Sequence, residues 1–78
     1  MRKKQLRLVV SFHTTAGAMA AERLCGQLGL SGRLIPVPRR ITSDCGIAWS
    51  APPELEDTLR ERFREAGIDT AGFDVLAI

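Results

Sequence analysis

Leu6-Arg7-Leu8-Val9-Val10-Ser11-Phe12, followed by His13-Thr14-Thr15, decides how this chain is laid out. Leu6, Leu8, Val10 and Phe12 alternate with Arg7, Val9 and Ser11, the period of a half-buried strand. Thr14 and Thr15 then offer side-chain oxygens as helix N-caps. From there to about Leu28 the pattern is helical. Ala20, Ala21, Leu24 and Leu28 share one face, with Glu22, Arg23 and Gln27 opposite. Gly29 closes the helix as a left-handed C-cap. The chain therefore opens with a strand and a helix joined by a tight, polar connection.

The rest repeats that unit. A second strand is expected over about Arg33–Val37, and Pro36 and Pro38, which lack ladder donors, place it at a sheet edge. After a polar loop, a third strand covers about Ile47–Ser50. Pro52-Pro53 mark a helix entry, with Pro53 suited to the first turn. Leu55, Leu59, Phe63 and Ala66 then recur at helical spacing until Gly67. The outer face of this helix offers Glu56–Arg60 and Glu61–Arg64 pairs. Phe73–Ile78 reads as the last strand. The order β-α-β-β-α-β is satisfied most simply by two layers, a four-stranded antiparallel sheet with both helices on one face. That is the ferredoxin-like α+β sandwich, with strand order 4-1-3-2 and the second strand at the edge. Residues 1–5 form a basic N-terminal tail and residues 6–78 the folded domain.

Composition narrows the function. The 78 residues carry a net charge of +2, with 45% hydrophobic and 26% charged residues, the balance of a globular protein. Arg2-Lys3-Lys4 place several basic residues in the tail, so the charge is not the dense stripe of a nucleic-acid binder. Aromatics make up 5% with no Tyr, too few for an RNA-stacking platform. The apolar run Leu6–Phe12 is too short for a signal peptide or a membrane span. Two cysteines do not make a disulfide scaffold, and a cytoplasmic protein with reduced thiols is expected. Two cysteines and one histidine do not supply a structural zinc site. No phosphate-cradling glycine loop or paired catalytic carboxylates appear, so no cofactor or metal is expected.

Chemistry concentrates in Pro38-Arg39-Arg40-Ile41-Thr42-Ser43-Asp44-Cys45-Gly46. Two arginines precede a cysteine, small hydroxyls flank it and a glycine follows. In the fold above, the first two strands run parallel, so this loop lies beside the first helix start, near His13, Thr14 and Thr15. The cationic side chains and the helix N-terminus favour a thiolate, the form that attacks or accepts sulfur, while Asp44 opposes it. Arg39 and Arg40 steady a thiolate or persulfide, dock an acidic partner surface, or simply meet solvent; in an extended segment only one of the two neighbours can face the thiol. Thr42 and Ser43 donate to the sulfur or stabilise the turn. Gly46 permits a turn or lets N–H groups face the sulfur. His13 is a proton-transfer candidate or an exposed loop residue. Trp49 either packs or faces the open side of the sheet. Cys25, about ten residues past the helix cap, lies roughly 15 Å from the loop. That is beyond the ~7 Å Cα separation of a disulfide, and it reads as core.

The helix Ala18-Met19-Ala20-Ala21-Glu22-Arg23-Leu24 and this loop together resemble the small selenium/sulfur carrier protein-like family, over about Leu6 to Ile78. Phe12, Thr14, Thr15, Ala18, Ala21 and Glu22 match its strand–hydroxyl–helix pattern. Pro38, Arg39, Ile41, Thr42, Ser43, Cys45 and Gly46 match its central signature. Asp44 stands where a small residue is common, and His13 lies outside the pattern. The resemblance implies a carrier, rather than a stand-alone enzyme, that holds sulfur or selenium as a persulfide-type adduct on Cys45. Its partners would be a cysteine-desulfurase-type donor and a sulfur or selenium acceptor enzyme, with no nucleic acid and no membrane. A homodimer is left open. The rival reading is a non-catalytic interaction or regulatory module built on the same sheet.

Overall fold

The computed structural model describes residues 4–41 and 45–78. The elements follow the expected order: β1 (Leu6–Phe12), α1 (Thr15–Leu28), β2 (Arg33–Pro36), β3 (Ile47–Ala51), a 3-10 turn at Pro53–Leu55, α2 (Glu56–Glu65) and β4 (Thr70–Ala77). The strands form one antiparallel sheet ordered β2-β3-β1-β4. This is the expected order read from the other edge, with the proline-bearing β2 outermost. The architecture is α+β, consistent with a ferredoxin-like two-layer sandwich. Among the described residues no helix is long and apolar enough to cross a membrane.

The alternation of β1 sorts its side chains between two faces. Leu8, Val10 and Phe12 join Trp49 and Ala51 of β3 in a core closed by Ala18, Ala21 and Cys25 of α1 and Leu59 and Phe63 of α2. Arg7, Val9 and Ser11 point to the face opposite the helices, where Val9, Ser11, Ala48 and Ser50 are themselves buried beneath longer neighbours and Arg7 and Arg33 reach the surface. Phe63 ties the layers together, with ring centroids 6.1 Å from Phe12 and 6.5 Å from Phe73. The Arg60 guanidinium carbon lies 4.3 Å from the Phe73 ring centroid and shields it. Stacked cation and ring add to the burial of an otherwise half-open aromatic.

Both helices end as their glycines require. Gly29 and Gly67 take left-handed φ values of 70° and 72°. Leu30 and Ile68 donate backward to the Cys25 and Phe63 carbonyls at 2.9 Å each, closing two Schellman motifs. Thr14 caps α1, its Oγ1 accepting from the Gly17 N–H at 3.0 Å.

Four local expectations change. The inner stripe of α1 is Ala18, Ala21 and Cys25, while Ala20 and Leu28 are exposed. Small residues at this stripe let the helix backbone approach the sheet, where Trp49 and Phe12 supply the volume. In α2, Ala66 caps the helix and is exposed instead of packing. The Glu56–Arg60 pair forms at 2.9 Å, but the second pair is Arg62–Glu65, also at 2.9 Å. Finally, β4 begins at Thr70, because pairing with Phe12 and Ser11 extends the strand through Ala71 and Gly72 despite their weak strand propensity.

Trp49 lies in the helix-side layer, 3% exposed, with its Nε1 buried and unpartnered. Gly32, at φ 150°, lies against the indole. A Cβ there would fall 2.6 Å from Trp49 Cε2, Cζ2 and Nε1. Gly32→Ala is therefore expected to cost about 1–3 kcal/mol from overpacking and backbone strain. Urea denaturation measures it, and a loss below about 0.5 kcal/mol would mean that the segment yields freely.

Candidate functional site at the Cys45 loop

The loop between β2 and β3 is closed at its base by Val37 N–H donating to the Gly46 carbonyl at 3.0 Å. It opens with a turn in which Ile41 N–H donates to the Pro38 carbonyl at 3.0 Å. Arg39 and Arg40 occupy the corners of that turn and are exposed. The segment is thus bent, whereas an extended one was expected. Thr42, Ser43 and Asp44, and with them the expected roles of the two hydroxyls, lie outside the described residues. Gly46 takes a left-handed φ of 74° with nothing within 4 Å of its virtual Cβ, so its need for glycine comes from the backbone alone.

Cys45 is half-buried and packs at the rim of the core. Its Sγ donates to the Phe12 carbonyl at 3.4 Å and to the Ile47 carbonyl at 3.3 Å. These acceptors have a topological origin. The β1–β3 ladder pairs Leu8 with Ala51 through Ser11 with Ala48, so Phe12 and Ile47 would form the next rung. On the other side, the β1–β4 register shifts between Ser11 and Phe12, as at a β-bulge. The thiol therefore sits where the ladder runs out, one S–H facing two carbonyl oxygens. Carbonyl partners carry no side-chain signature, and no reading of residue types would have found them.

The remaining candidates fall around this sulfur at one end of the sheet. Thr14 and Thr15 begin α1 just beyond Phe12, as the parallel course of β1 and β2 requires. Thr14 Oγ1 is engaged by Gly17. His13, between Phe12 and the cap, is exposed. Among the described residues no three His, Cys, Asp or Glu side chains converge as metal ligands would.

Cys25 differs from Cys45 in kind. It is fully buried and not disulfide-bonded, and burial pushes its thiol up from the ordinary 9.0 to about 11. The folded core accepts only the neutral form. Its contribution is thus whole below about pH 9 and drains as pH rises toward 11, where the unfolded chain's thiol ionises first. The loss across that window is on the order of 2–3 kcal/mol. Denaturation midpoints of wild type and Cys25→Ala between pH 8 and 11 check this. Wild type should fall more steeply, and parallel curves would refute the burial effect.

No curated protein and no solved structure gives a significant match to the chain. A family model does, described as Putative Se/S carrier protein-like and matching residues 7–73. That span takes in the first strand and helix, the whole Cys45 loop and the second helix. The chain belongs to the Putative Se/S carrier protein-like family.

Proposed function

We propose that this protein carries sulfur or selenium as a persulfide-type group on Cys45, between a cysteine-desulfurase-type donor and an acceptor enzyme. The observation that carries this reading is the contrast between the two thiols. Cys25 is sealed in the core, whereas Cys45 stands at the sheet end on a loop that reaches solvent. Family membership supports the same residue, since Cys45 lies within the matched span.

The chemistry needs no external redox partner. Cys45 gives up its proton and its sulfur attacks the outer, sulfane sulfur of the donor's persulfide. A new S–S bond forms as the donor's S–S bond breaks. The electron pair leaves on the donor's inner sulfur, which takes up the proton as a thiol. Onward transfer repeats the exchange with Cys45 as the leaving group. Before it can attack, the sulfur must leave the Phe12 and Ile47 carbonyls, which its proton engages at rest. Arg39 and Arg40, exposed at the loop's first turn, offer positive charge to an incoming anionic persulfide.

Intact-mass measurement after incubation with a pyridoxal-phosphate cysteine desulfurase and cysteine tests the proposal. One added sulfur atom is expected, mapped by digestion to the Cys45 peptide and removed by dithiothreitol. An unchanged mass, or an adduct mapped to Cys25, would overturn it.

A further inference from the structure

We infer a second binding surface, unconnected with the thiol: a cationic groove on the uncovered face of the sheet that receives an acidic, aliphatic-containing segment of a partner protein. Lys4, Arg7 and Arg33 line a shallow groove of about 730 Å³ together with Ser50, Ile35 and Ile78. Sheet register explains their convergence. Arg33 is the direct cross-strand partner of Ser50, and Ser50 is the partner of Val9, two residues from Arg7. Arg7 Nε donates to Ser50 Oγ at 3.0 Å, which fixes the guanidinium plane and leaves its two terminal nitrogens for a ligand.

Arg7 and Arg33 flank Ser50 from the two strands on either side of β3, so their guanidinium groups share one groove without being direct cross-strand partners. The strands place one carboxylate side chain on this face, Asp74, opposite Val9 on β4. It makes no ion pair with Arg7 or Arg33 among the described residues, where the ion pairs are Arg60–Glu56 and Arg62–Glu65. The charged side chains that line the groove, Lys4, Arg7 and Arg33, are thus all cationic.

The neighbouring surface selects the occupant. The short side chain of Ser50 lies between the two arginines, and Ile35 and Ile78 give the groove apolar edges. Phe12, Trp49 and Phe73 all belong to the helix-side core, so no ring is available to stack a base. An extended segment with carboxylates and aliphatic side chains matches this mixture, and a guanidinium fork recognises a carboxylate in a bidentate manner. The groove lies on the opposite side of the sheet from Cys45; its Arg7 is about 16 Å along β1 from Phe12, while Ile35, at its other edge, pairs with Ala48 next to Ile47.

The test uses Cys45→Ser protein, so that thiol chemistry neither helps nor hinders. A fluorescein-labelled peptide of repeating Glu-Glu-Leu is titrated at low ionic strength, with anisotropy giving affinity and amide NMR shifts giving location. Shifts are expected at Arg7, Arg33, Ile35 and Ser50. Affinity should fall at least about tenfold in Arg7→Gln/Arg33→Gln and weaken with added salt. The single Arg33→Glu change, at an exposed edge position, should fall as far and guards against a folding defect in the double variant. Arg39→Gln/Arg40→Gln removes the same charge elsewhere and should stay within about twofold of its parent. No binding, shifts centred on the Cys45 loop, equal losses in the two double variants, or tighter binding of a single-stranded oligonucleotide of matched charge would each overturn the inference.

Discussion

Cys45→Ser is expected to accept no sulfur from a desulfurase while remaining folded, the largest functional change available from one atom. Serine keeps a hydroxyl donor where the thiol now faces the Phe12 and Ile47 carbonyls, so neither acceptor loses its partner and the stability cost should be about 1 kcal/mol or less. Its oxygen is far less nucleophilic toward a sulfane sulfur at neutral pH than a thiolate. Cys25 does not substitute, because its sulfur is fully buried and its thiol is raised to about 11. Mass spectrometry should therefore find wild type loaded and Cys45→Ser unloaded, with closely similar urea midpoints. Equal loading of both proteins would move the chemistry to another residue. Loss of folding in the serine variant would instead give the cysteine a structural role that this geometry does not assign it.

The second large effect concerns stability. Phe63→Ala should cost about 3–5 kcal/mol, the range for removing a buried aromatic ring. Phe63 is 1% exposed and lies between Phe12 of the central strand and Phe73 of the edge strand. Its loss opens a cavity in the short contact between α2 and the sheet, and Leu59 is the other fully buried side chain that α2 contributes. A chain of 78 residues has a total stability of roughly 4–12 kcal/mol. The variant should consequently be largely or partly unfolded at 37 °C. Guanidinium denaturation of wild type and variant measures the difference, and a loss below about 1.5 kcal/mol would mean that neighbouring side chains refill the site.

Much of this architecture was legible because local signals agreed with one another. The alternation of Leu6–Phe12, the Thr14 cap, the closing glycines at 29 and 67 and the prolines at 36 and 38 each named an element or its place. The sheet order followed from their combination. Where local and tertiary forces competed, the sequence misled. Ala20 and Leu28 fitted a helical stripe as well as Ala18 and Cys25 do, and only the bulk of Trp49 beneath the helix decides which small residues turn inward. Ala71 and Gly72 have little strand character of their own and break the signal ahead of Phe73; they extend because β1 offers them a ladder.

The site divided in the same way. Topology alone brought the Cys45 loop to the end of β1, next to the start of α1. The Phe12 and Ile47 carbonyls that face the sulfur were invisible, because they are backbone groups left over where two ladders stop. The groove on the uncovered face was hidden for a different reason. Arg7, Arg33 and Lys4 are scattered in sequence and look like ordinary solvated charges until cross-strand register gathers them.

The placement of Cys45 at the missing rung has a further meaning for a chain with so small an interior. A single sulfhydryl serves there as a clasp between the end of the central strand and the beginning of its neighbour. If Cys45 is loaded as proposed, the added atom replaces the proton that fastens the clasp, so loaded and empty forms would differ in how firmly the two strand ends are held.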